Sequence, residues 1–377
     1  MPLGSAPELN CTTCEFIMSV YVEVAGNQTT LGEFVQLFED ACNVIAPGTP
    51  LGTLCDALIS DTFKSIVPFL YKELTTLAWD IPETFCSVFI PVCTVDCCAT
   101  PTAPEQRRLA FTNDASAYSV QWTTLTLVAG SAVEWVVYGA SGQPSTATAV
   151  PRTYALGGWR GTLYSAIMDK LQPGVTYSYR VGSDSGGWSA AANFTTLPAA
   201  TGSAQRALRL AHIGDMGWGD NSNATIAALQ SLVDLGALDA VIHTGDVSYA
   251  DGQQKSWDVY GRKIEGISSR VPYMVGVGNH EQVWWGGAPF RHRWTMPPAL
   301  NPLTREPLPD ATTANRSFYS IDFPNKVLHF AMYDTESVLD VSDVSANNVQ
   351  WLKEDLGLAK TFGASWIIAG GHRPLCA

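Results

Sequence analysis

Five polar segments in the C-terminal half of the chain constrain its fold more than any other feature of the sequence. They are Gly214–Gly217, Gly245–Asp251, Gly278–Glu281, Asp334–Glu336 and Gly371–Pro374. Four of them directly follow a short apolar run, and the third follows an apolar run that glycines interrupt. Because ligands gather where the strands of layered α/β domains end, we expect these segments to meet at one edge of a sheet. Their carboxylates, amide oxygen, imidazoles and phenol predict a site for two cations held close together.

The pattern of apolar residues divides the chain into three regions. A length of 377 residues exceeds what one compact core usually holds, so we expect two or three domains. Residues 99–106 and 198–206 have the composition of linkers. The sequence therefore predicts a multidomain protein with a disulfide-stapled α-helical domain (8–98), a β-sandwich domain (105–198) and an α/β layered domain (207–377).

The last two regions differ in their predicted elements. In the β-sandwich region, short β-type runs lie at Ala117–Thr123, Val133–Tyr138, Thr162–Met168 and Tyr177–Val181. In the α/β region, strands are predicted at 208–213, 239–244, 272–277, 327–333 and 365–369, with helices at 223–235, 253–267 and 345–360. His212 and His243 lie inside two of these strands and are predicted to pack in the core or behind the metal ligands.

The cysteines indicate an oxidising compartment. Eight of the nine lie in residues 11–98, and the ninth is Cys376. Such a dense cluster is typical of a disulfide framework. Five acceptor sequons predict a glycoprotein: Asn10, Asn27, Asn193, Asn223 and Asn315. We therefore expect a secreted or lysosomal/vacuolar protein, although the first residues do not have the pattern of a signal peptide.

The charge and hydropathy exclude some classes of partner. A net charge of −13 argues against nucleic acid as a partner, because binding a phosphate backbone needs a basic face. It also disfavours attraction to anionic membranes. No uninterrupted apolar run approaches the length of a membrane-spanning helix.

The N-terminal cysteines and the helical pattern between them resemble a saposin B-type domain. The cysteines that carry the resemblance are Cys11, Cys14, Cys42, Cys55, Cys86 and Cys93. The resemblance implies the disulfides Cys11–Cys93, Cys14–Cys86 and Cys42–Cys55. It also implies possible lipid or membrane-surface contact through an apolar inner face. The alternative is that the apolar stripes only form the core of a small, disulfide-stapled domain with a structural or docking role.

The order of motifs G-D-x-G, G-D-x-x-Y-A-D, G-N-H-E and G-H-R-P resembles the purple acid phosphatases, within the calcineurin-like metallophosphoesterases. Tyr249 lies three residues after Asp246, where that family has a tyrosine that binds ferric iron as phenolate. The β region resembles the fibronectin-like domain that precedes the catalytic domain in plant-type members. Together the two resemblances cover about residues 105–376.

The resemblance implies a role for each metal ligand. It assigns Asp215 and Tyr249 to the first metal and Asn279 and His372 to the second, with Asp246 bridging both. The implied cofactors are Fe(III) and a divalent Fe, Zn or Mn ion. A neutral amide oxygen such as that of Asn279 suits a divalent cation.

The resemblance also implies the reaction, which is the hydrolysis of phosphate monoesters by an acid phosphatase. A metal-bound hydroxide attacks phosphorus, and His280 faces the phosphate and helps the leaving group to depart. Paired cations lower the pKa of a bound water molecule enough to give hydroxide at acid pH. Phosphate esters are therefore the expected substrates.

One departure from the family pattern limits this expectation. Relatives also have a G-H-x-H motif that supplies one histidine to each metal, and no such motif occurs in these 377 residues. We therefore expect a truncated C-terminus, weak metal retention and little activity from the 377 residues alone. Two alternatives stay open: a sphingomyelinase-like phosphodiesterase, because a saposin-type domain also precedes that catalytic domain, and a non-catalytic lipid-binding pseudoenzyme.

Overall fold

A computed structural model describes most of the chain from residue 93 onward. The described residues are 11, 12, 14, 15, 19, 86, 87, 93–198, 207–282, 287–308, 317–336 and 343–374. By its internal contacts the chain divides into one unit of Met1–Val95 with Leu156–Gly158 and a second unit of Asp96–Ala155 with Trp159–Ala377. Within the described residues, no helix is both long and apolar enough to cross a membrane.

The first unit contains two of the disulfides that the saposin resemblance implies. Cys11 is bonded to Cys93, and Cys14 is bonded to Cys86. These two pairings are therefore confirmed. The third implied pair, Cys42–Cys55, lies outside the described residues, as do nearly all of the predicted helical stripes. The saposin-like fold of residues 8–98 stays a prediction.

The second unit begins with a β-rich domain of two antiparallel sheets. Its strands, preceded by the two-residue β1 (Val95–Asp96), are β2 (Glu105–Phe111), β3 (Tyr118–Thr124), β4 (Ala132–Val137), β5 (Ser145–Thr148), β6 (Val150–Arg152), β7 (Trp159–Arg160), β8 (Thr162–Met168), β9 (Thr176–Ser183), β10 (Gly187–Trp188) and β11 (Ala192–Thr195). One sheet has the order β2-β3-β8-β6, and the other has the order β10-β9-β4-β5 with β11 paired to β9. Alternate residues of β9, including Tyr177, Tyr179 and Val181, are buried, as expected for a strand with one face on the core.

The remainder of the second unit is an α/β domain. Its strands are β12 (Leu210–Ile213), β13 (Ala240–Thr244), β14 (Tyr273–Gly276), β15 (Tyr319–Asp322), β16 (Leu328–Met332) and β17 (Trp366–Gly370). Its helices are α1 (Asn223–Asp234), α2 (Gln254–Ser268), α3 (Asn279–Gln282), α4 (Ala288–Arg293) and α5 (Asp343–Thr361). β12, β13 and β14 form one parallel sheet, while β16 pairs antiparallel with β15 and parallel with β17. Every residue of β13 and β14 is buried, which explains why parallel strands read as continuous apolar runs.

The β-rich domain packs on the α/β domain through apolar and ionic contacts. The Phe111 ring meets the Phe323 ring edge-on at 5.6 Å between centroids. Arg107 Nε lies 2.6 Å from Glu265 Oε1 on α2, and the Tyr179 hydroxyl donates a hydrogen bond to the carbonyl of Ser269. The two domains therefore share one continuous core, which also supports the loops that follow β13 and β14.

The structure corrects two expectations about the elements. The expected linker at residues 99–106 is too long, because Glu105 and Gln106 already belong to β2 and Gln106 contacts α2. β15 was not predicted, because Tyr-Ser-Ile-Asp is too short a run to stand out and forms a strand only by pairing with β16. A further disulfide joins the neighbouring Cys97 and Cys98, for which the sequence predicted no partner.

Candidate metal centre

Each predicted site residue lies just beyond the end of a strand. Asp215 follows β12, Asp246 and Tyr249 follow β13, and Asn279 begins the short helix α3 after β14. His372 follows β17 of the other sheet. Because β12, β13 and β14 are parallel, their carboxyl ends share one edge, and the loops carry their side chains to a common region.

The predicted metal ligands lie close to one another. One ligand atom from each of Asp215, Asp246 and His372 lies within 4.8 Å of the others. The Tyr249 hydroxyl is 2.8 Å from Asp215 Oδ1, and His372 Nε2 is 3.1 Å from Asn279 Oδ1 and 3.3 Å from Asp246 Oδ2. Asp246 therefore lies between an oxygen-rich group and a group that also contains an imidazole.

The backbone of this region is held in an unusual conformation. The φ angles of Asp215, Asp246, Tyr249 and Asp251 are 54°, 49°, 52° and 47°. These values lie in the left-handed region, which residues other than glycine rarely adopt. Such residues persist only where the surrounding structure enforces them, at a cost of about 1–3 kcal/mol each. Their concentration after β12 and β13 is typical of a functional site rather than of ordinary turns.

Close packing of the loops requires glycine at two positions. A Cβ atom at Gly245 would lie 2.8 Å from both the Gly278 nitrogen and the His372 Cβ. A Cβ atom at Gly278 would lie 2.2 Å from Asp246 Oδ1. The glycines in these segments therefore allow the three loops to approach each other around Asp246.

His280 faces the same cluster and is paired with Asp251. Its Nδ1 lies 2.5 Å from Asp251 Oδ1, its Nε2 lies 3.8 Å from Asp246 Oδ2, and its ring lies 4.1 Å from the Tyr249 ring. Burial lowers the pKa of His280, but the hydrogen bond and charge of Asp251, with the charge of Asp246, outweigh it and raise the pKa above its usual value. A buried carboxylate on one ring nitrogen fixes the orientation of the other. No role was predicted for Asp251, although it belongs to the G-D-x-x-Y-A-D motif.

Glu281 also contributes to the site in a way that the sequence did not reveal. Its side chain is buried, and its two oxygens accept backbone hydrogen bonds from Asp246, Val247 and Gly278. Burial and the charge of Asp246 raise the pKa of Glu281 to about 7, and the three backbone donors oppose that rise. The only sequence signal was its place in G-N-H-E, which does not distinguish a ligand from a supporting residue.

The segment after β16 supports the loop that carries His372. Arg373 makes a two-pronged ion pair with Glu336, with Nε 2.8 Å from Oε1 and Nη2 2.8 Å from Oε2. The Arg373 amide donates a hydrogen bond to Thr335 Oγ1. Of the Asp334–Glu336 segment, therefore, Thr335 and Glu336 hold the loop after β17.

The donor set fits two cations. Burial, the hydrogen bond to Asp215 and the charges of Asp215 and Asp246 raise the pKa of Tyr249 well above its usual value. The carboxylates thus disfavour a phenolate unless a cation offsets the negative charge. Asp215, Asp246 and Tyr249 offer hard oxygens to a trivalent ion, while Asp246, Asn279 and His372 offer the mixed oxygen and nitrogen ligands that divalent ions accept.

His243 and His212, which both lie in strands, differ in burial and in hydrogen-bond partners. His243 is fully buried, and its Nδ1 lies within hydrogen-bond distance of the Tyr273 and Tyr260 hydroxyls, at 3.1 and 3.2 Å. Burial lowers the pKa of His243 to about 3, so it is neutral. His212 is exposed rather than part of the core, and its Nε2 lies 3.3 Å from Thr244 Oγ1.

Comparisons of the sequence with known proteins find relatives named as acid phosphatases. Acid phosphatase type 7 of Mus musculus is 33% identical over 279 residues, which cover 72% of this chain and 59% of the relative. A protein of Arabidopsis thaliana named probable inactive purple acid phosphatase 1 is 34% identical over 220 residues, which cover 50% of this chain and 35% of the relative. The chain thus spans between about a third and three fifths of the length of these two relatives.

A solved structure has the same fold. The purple acid phosphatase PPD1 from yellow lupin (Lupinus luteus) seeds superposes with a TM-score of 0.59 at 24% sequence identity, covering 73% of this chain and 52% of that chain. Two protein-family models match consecutive parts of the sequence, and together they cover both domains of the second unit. Residues 104–196 match a purple acid phosphatase N-terminal domain, and residues 208–376 match a calcineurin-like phosphoesterase domain, so the chain contains these two domains in that order.

Proposed function

We propose that this chain carries the catalytic centre of an acid phosphatase that hydrolyses phosphate monoesters with two bound cations. The observation that carries the proposal is the convergence of Asp215, Asp246, Tyr249, Asn279 and His372 with His280 beside them. Mouse acid phosphatase type 7, a relative over 72% of this chain, supports the same reaction class.

The proposed ligand sets follow the donor chemistry. Asp215 and Tyr249 would hold Fe(III), Asn279 and His372 would hold a divalent Fe, Zn or Mn ion, and Asp246 would contact both. When bound, the two cations would supply positive charge that binds phosphate and would activate a water molecule as the nucleophile. These assignments rest on distances between side chains and on the family resemblance.

His280 would be the proton donor of the reaction. As hydroxide bonds to phosphorus and the bond from phosphorus to the leaving oxygen breaks, a proton would pass from His280 Nε2 to the leaving oxygen, giving the free alcohol and hydrogen phosphate. Asp251 accepts the hydrogen bond from Nδ1 at 2.5 Å and so keeps Nε2 directed toward the cluster. A general acid placed in this way typically contributes on the order of 10²–10⁴-fold to the rate.

The test is metal loading of the 377-residue chain together with hydrolysis of a simple phosphate monoester. Metal-depleted wild-type protein is titrated with ferric and zinc ions, and bound metal, visible absorbance and phosphate release are measured. We expect Asp246→Asn to reduce the binding of both ions, because Asp246 lies within reach of both ligand groups. Tyr249→Phe should remove the visible band of an iron–phenolate while leaving the zinc ligands intact.

Asp184→Asn is the matched control, because Asp184 is an exposed carboxylate of the β-rich domain whose partner is Trp188. It should bind both metals as the wild type does. Binding of two ions that is unaffected by Asp246→Asn would contradict the proposed site. Sphingomyelin serves as a second substrate, because faster release from sphingomyelin than from the monoester would favour the phosphodiesterase alternative.

One observation favours a non-catalytic alternative. The Arabidopsis relative that is 34% identical over 220 residues is named a probable inactive purple acid phosphatase. In this alternative the chain binds metal but does not hydrolyse esters. The same experiment tests this alternative, because two bound ions with phosphate release above the Asp246→Asn background would exclude the inactive form.

We also propose that the protein works in a secreted or lysosomal/vacuolar compartment. The disulfides Cys11–Cys93 and Cys14–Cys86 support this, because such bonds persist in oxidising environments. Lipid contact through a saposin-like domain stays a prediction about residues outside the described part of the chain. Detection of the endogenous protein only in the cytosol would contradict the proposed location.

A further inference from the structure

We propose that Glu281 is a positioning residue that holds the Asp246 carboxylate ready for metal binding. The inference deepens the proposed metal centre and rests on it. Glu281 does not belong to the group of ligand atoms formed by Asp215, Asp246 and His372. Its role is instead to connect the loop after β13 with the loop after β14.

Glu281 binds three backbone amides through its two oxygens. Oε2 accepts hydrogen bonds from the amides of Asp246 at 2.8 Å and Gly278 at 2.9 Å, and Oε1 accepts one from Val247 at 2.9 Å. The residue is only 3% exposed, so little water competes for these donors. A buried side chain that accepts hydrogen bonds from several backbone amides fixes their relative positions, because each amide would otherwise be buried without a partner.

A reciprocal hydrogen bond completes the connection. The amide of His280, next to Glu281, donates to Asp246 Oδ1 at 3.0 Å. Each carboxylate therefore accepts a hydrogen bond from the segment that carries the other. Because Oδ1 is occupied in this way, Oδ2 is the Asp246 oxygen that faces His372 Nε2 at 3.3 Å.

The connection also opposes backbone strain at Asp246. Its φ of 49° places this residue in the left-handed region, and the hydrogen bond from its amide to Glu281 is formed in that conformation. Without the acceptor, the Asp246 amide would be buried without a partner, and the loop would gain freedom to relax. The Asp246 carboxylate would then leave the position from which it can contact two cations.

The three donors require an acceptor at each of the two side-chain oxygens of Glu281. All three partners are N–H groups, with two of them bound to Oε2 and one to Oε1. In Glu281→Gln the amide NH₂ replaces one acceptor and faces a backbone N–H group. The substitution changes the size of the side chain very little, so its effects report on hydrogen bonding rather than on packing.

The experiment measures zinc affinity by calorimetry on the metal-depleted 377-residue chain. We expect Glu281→Gln to weaken zinc binding by about 10–100-fold, the usual effect of removing a group that orients a metal ligand. Glu134→Gln is the matched control, because Glu134 pairs with Arg180 on the β-rich domain, and it should bind zinc as the wild type does.

A double variant tests whether Glu281 acts through Asp246. If it does, adding Glu281→Gln to Asp246→Asn should weaken zinc binding little further, because the ligand that Glu281 holds is already lost. Equal zinc affinity in wild type and Glu281→Gln would overturn the inference. Fully additive losses would also overturn it.

Hydrogen exchange provides a readout that needs no metal. Amides of Asp246, Val247 and Gly278 should exchange faster in Glu281→Gln, while amides within β13 keep their protection. Faster exchange throughout the α/β domain would instead show general destabilisation and overturn the positioning role.

The outcomes for the two proposals can be told apart. Zinc binding that depends on Glu281 would support the positioning role whether or not the chain hydrolyses an ester, and ester hydrolysis with zinc binding that does not depend on Glu281 would overturn the positioning role alone. A wild-type chain that binds no zinc would overturn the metal centre and the metal-binding role of Glu281 together.

Discussion

Single atoms decide how closely the site loops approach each other. The Asp246 carboxylate lies against the backbone of Gly278, where a Cβ atom would be 2.2 Å from Oδ1 and 2.4 Å from the Asp246 nitrogen. The second contact is with the backbone, so it cannot be relieved without moving the loop. The position of the Asp246 carboxylate therefore depends on the absence of a Cβ atom at Gly278 as well as on the hydrogen-bond donors around it.

Gly278→Ala should displace Asp246 and weaken zinc binding by about ten-fold or more, in the range seen when the support of a metal ligand is lost. Calorimetry on the metal-depleted chain measures this. Gly357→Ala is the control, because Gly357 lies exposed in α5 with no atom near its ideal Cβ position. That change should leave zinc binding unchanged and stabilise the helix by about 0.5–1 kcal/mol. Unaltered zinc affinity in Gly278→Ala would show that the loop can relax at no cost.

At the scale of elements, a buried ionic network joins α2 and α4 to the β-rich domain. Arg293 Nη1 of α4 lies 2.6 Å from Asp258 Oδ1 of α2, and both side chains are almost fully buried. The Trp159 indole donates to the other Asp258 oxygen, and the Arg293 guanidinium lies 4.6 Å from the centre of the Trp159 ring. Because α2 follows the Asp246 loop and α4 follows α3, this network fixes the helices on either side of the site.

Arg293→Met should destabilise the fold by about 3–5 kcal/mol, because it leaves the Asp258 carboxylate buried without its cation. Urea unfolding measures the loss. Adding Asp258→Leu should recover most of it, since a buried pair replaced by apolar residues is often neutral. Arg160→Met is the exposed comparison, in which loss of the pair with Asp96 should cost at most about 1 kcal/mol. Equal losses for Arg160→Met and Arg293→Met would contradict the importance of the buried network.

At the scale of the whole molecule, one histidine should make the stability depend on pH. His329 of β16 is buried between two carboxylates, with Nδ1 2.7 Å from Asp322 of β15 and Nε2 2.7 Å from Asp355 of α5. Burial lowers the pKa of His329, but the hydrogen bonds and charges of the two carboxylates outweigh it and raise the pKa to about 9. The charged form of His329 therefore holds α5 against the sheet formed by β15, β16 and β17.

The sign of the effect follows from the raised pKa. The stabilisation is fully present below the usual histidine pKa of about 6.5, declines above it, and is lost as the pH rises through about 9. His329→Gln should therefore lower the melting temperature at pH 6 more than at pH 10. His292→Gln is the control: burial, Arg152 and Arg291 lower the pKa of His292, so its protonation does not stabilise the fold. A constant difference between wild type and His329→Gln from pH 6 to pH 10 would contradict the assignment.

The strands and helices of the α/β domain were largely predictable from sequence because their signals are local. The predicted helix at 253–267 is α2 at Gln254–Ser268, and the predicted strand at 239–244 is β13 at Ala240–Thr244. A buried parallel strand produces an apolar run, and an amphipathic helix produces a repeat of three to four residues, wherever they lie in the fold. The glycine and aspartate that end β13 also belong to a contiguous motif.

The partners of buried polar residues were decided only by the tertiary structure. Nothing in the sequence distinguishes Glu281, which binds amides of two loops, from a metal ligand, and nothing links Asp251 to His280 or Glu336 to Arg373. Likewise, β15 exists as a strand only because β16 lies beside it. Local patterns along the chain therefore predict which residue types reach the ends of the strands. Which of these residues meet depends on strand order and on how closely the loops approach each other, and neither has a local signature in the chain.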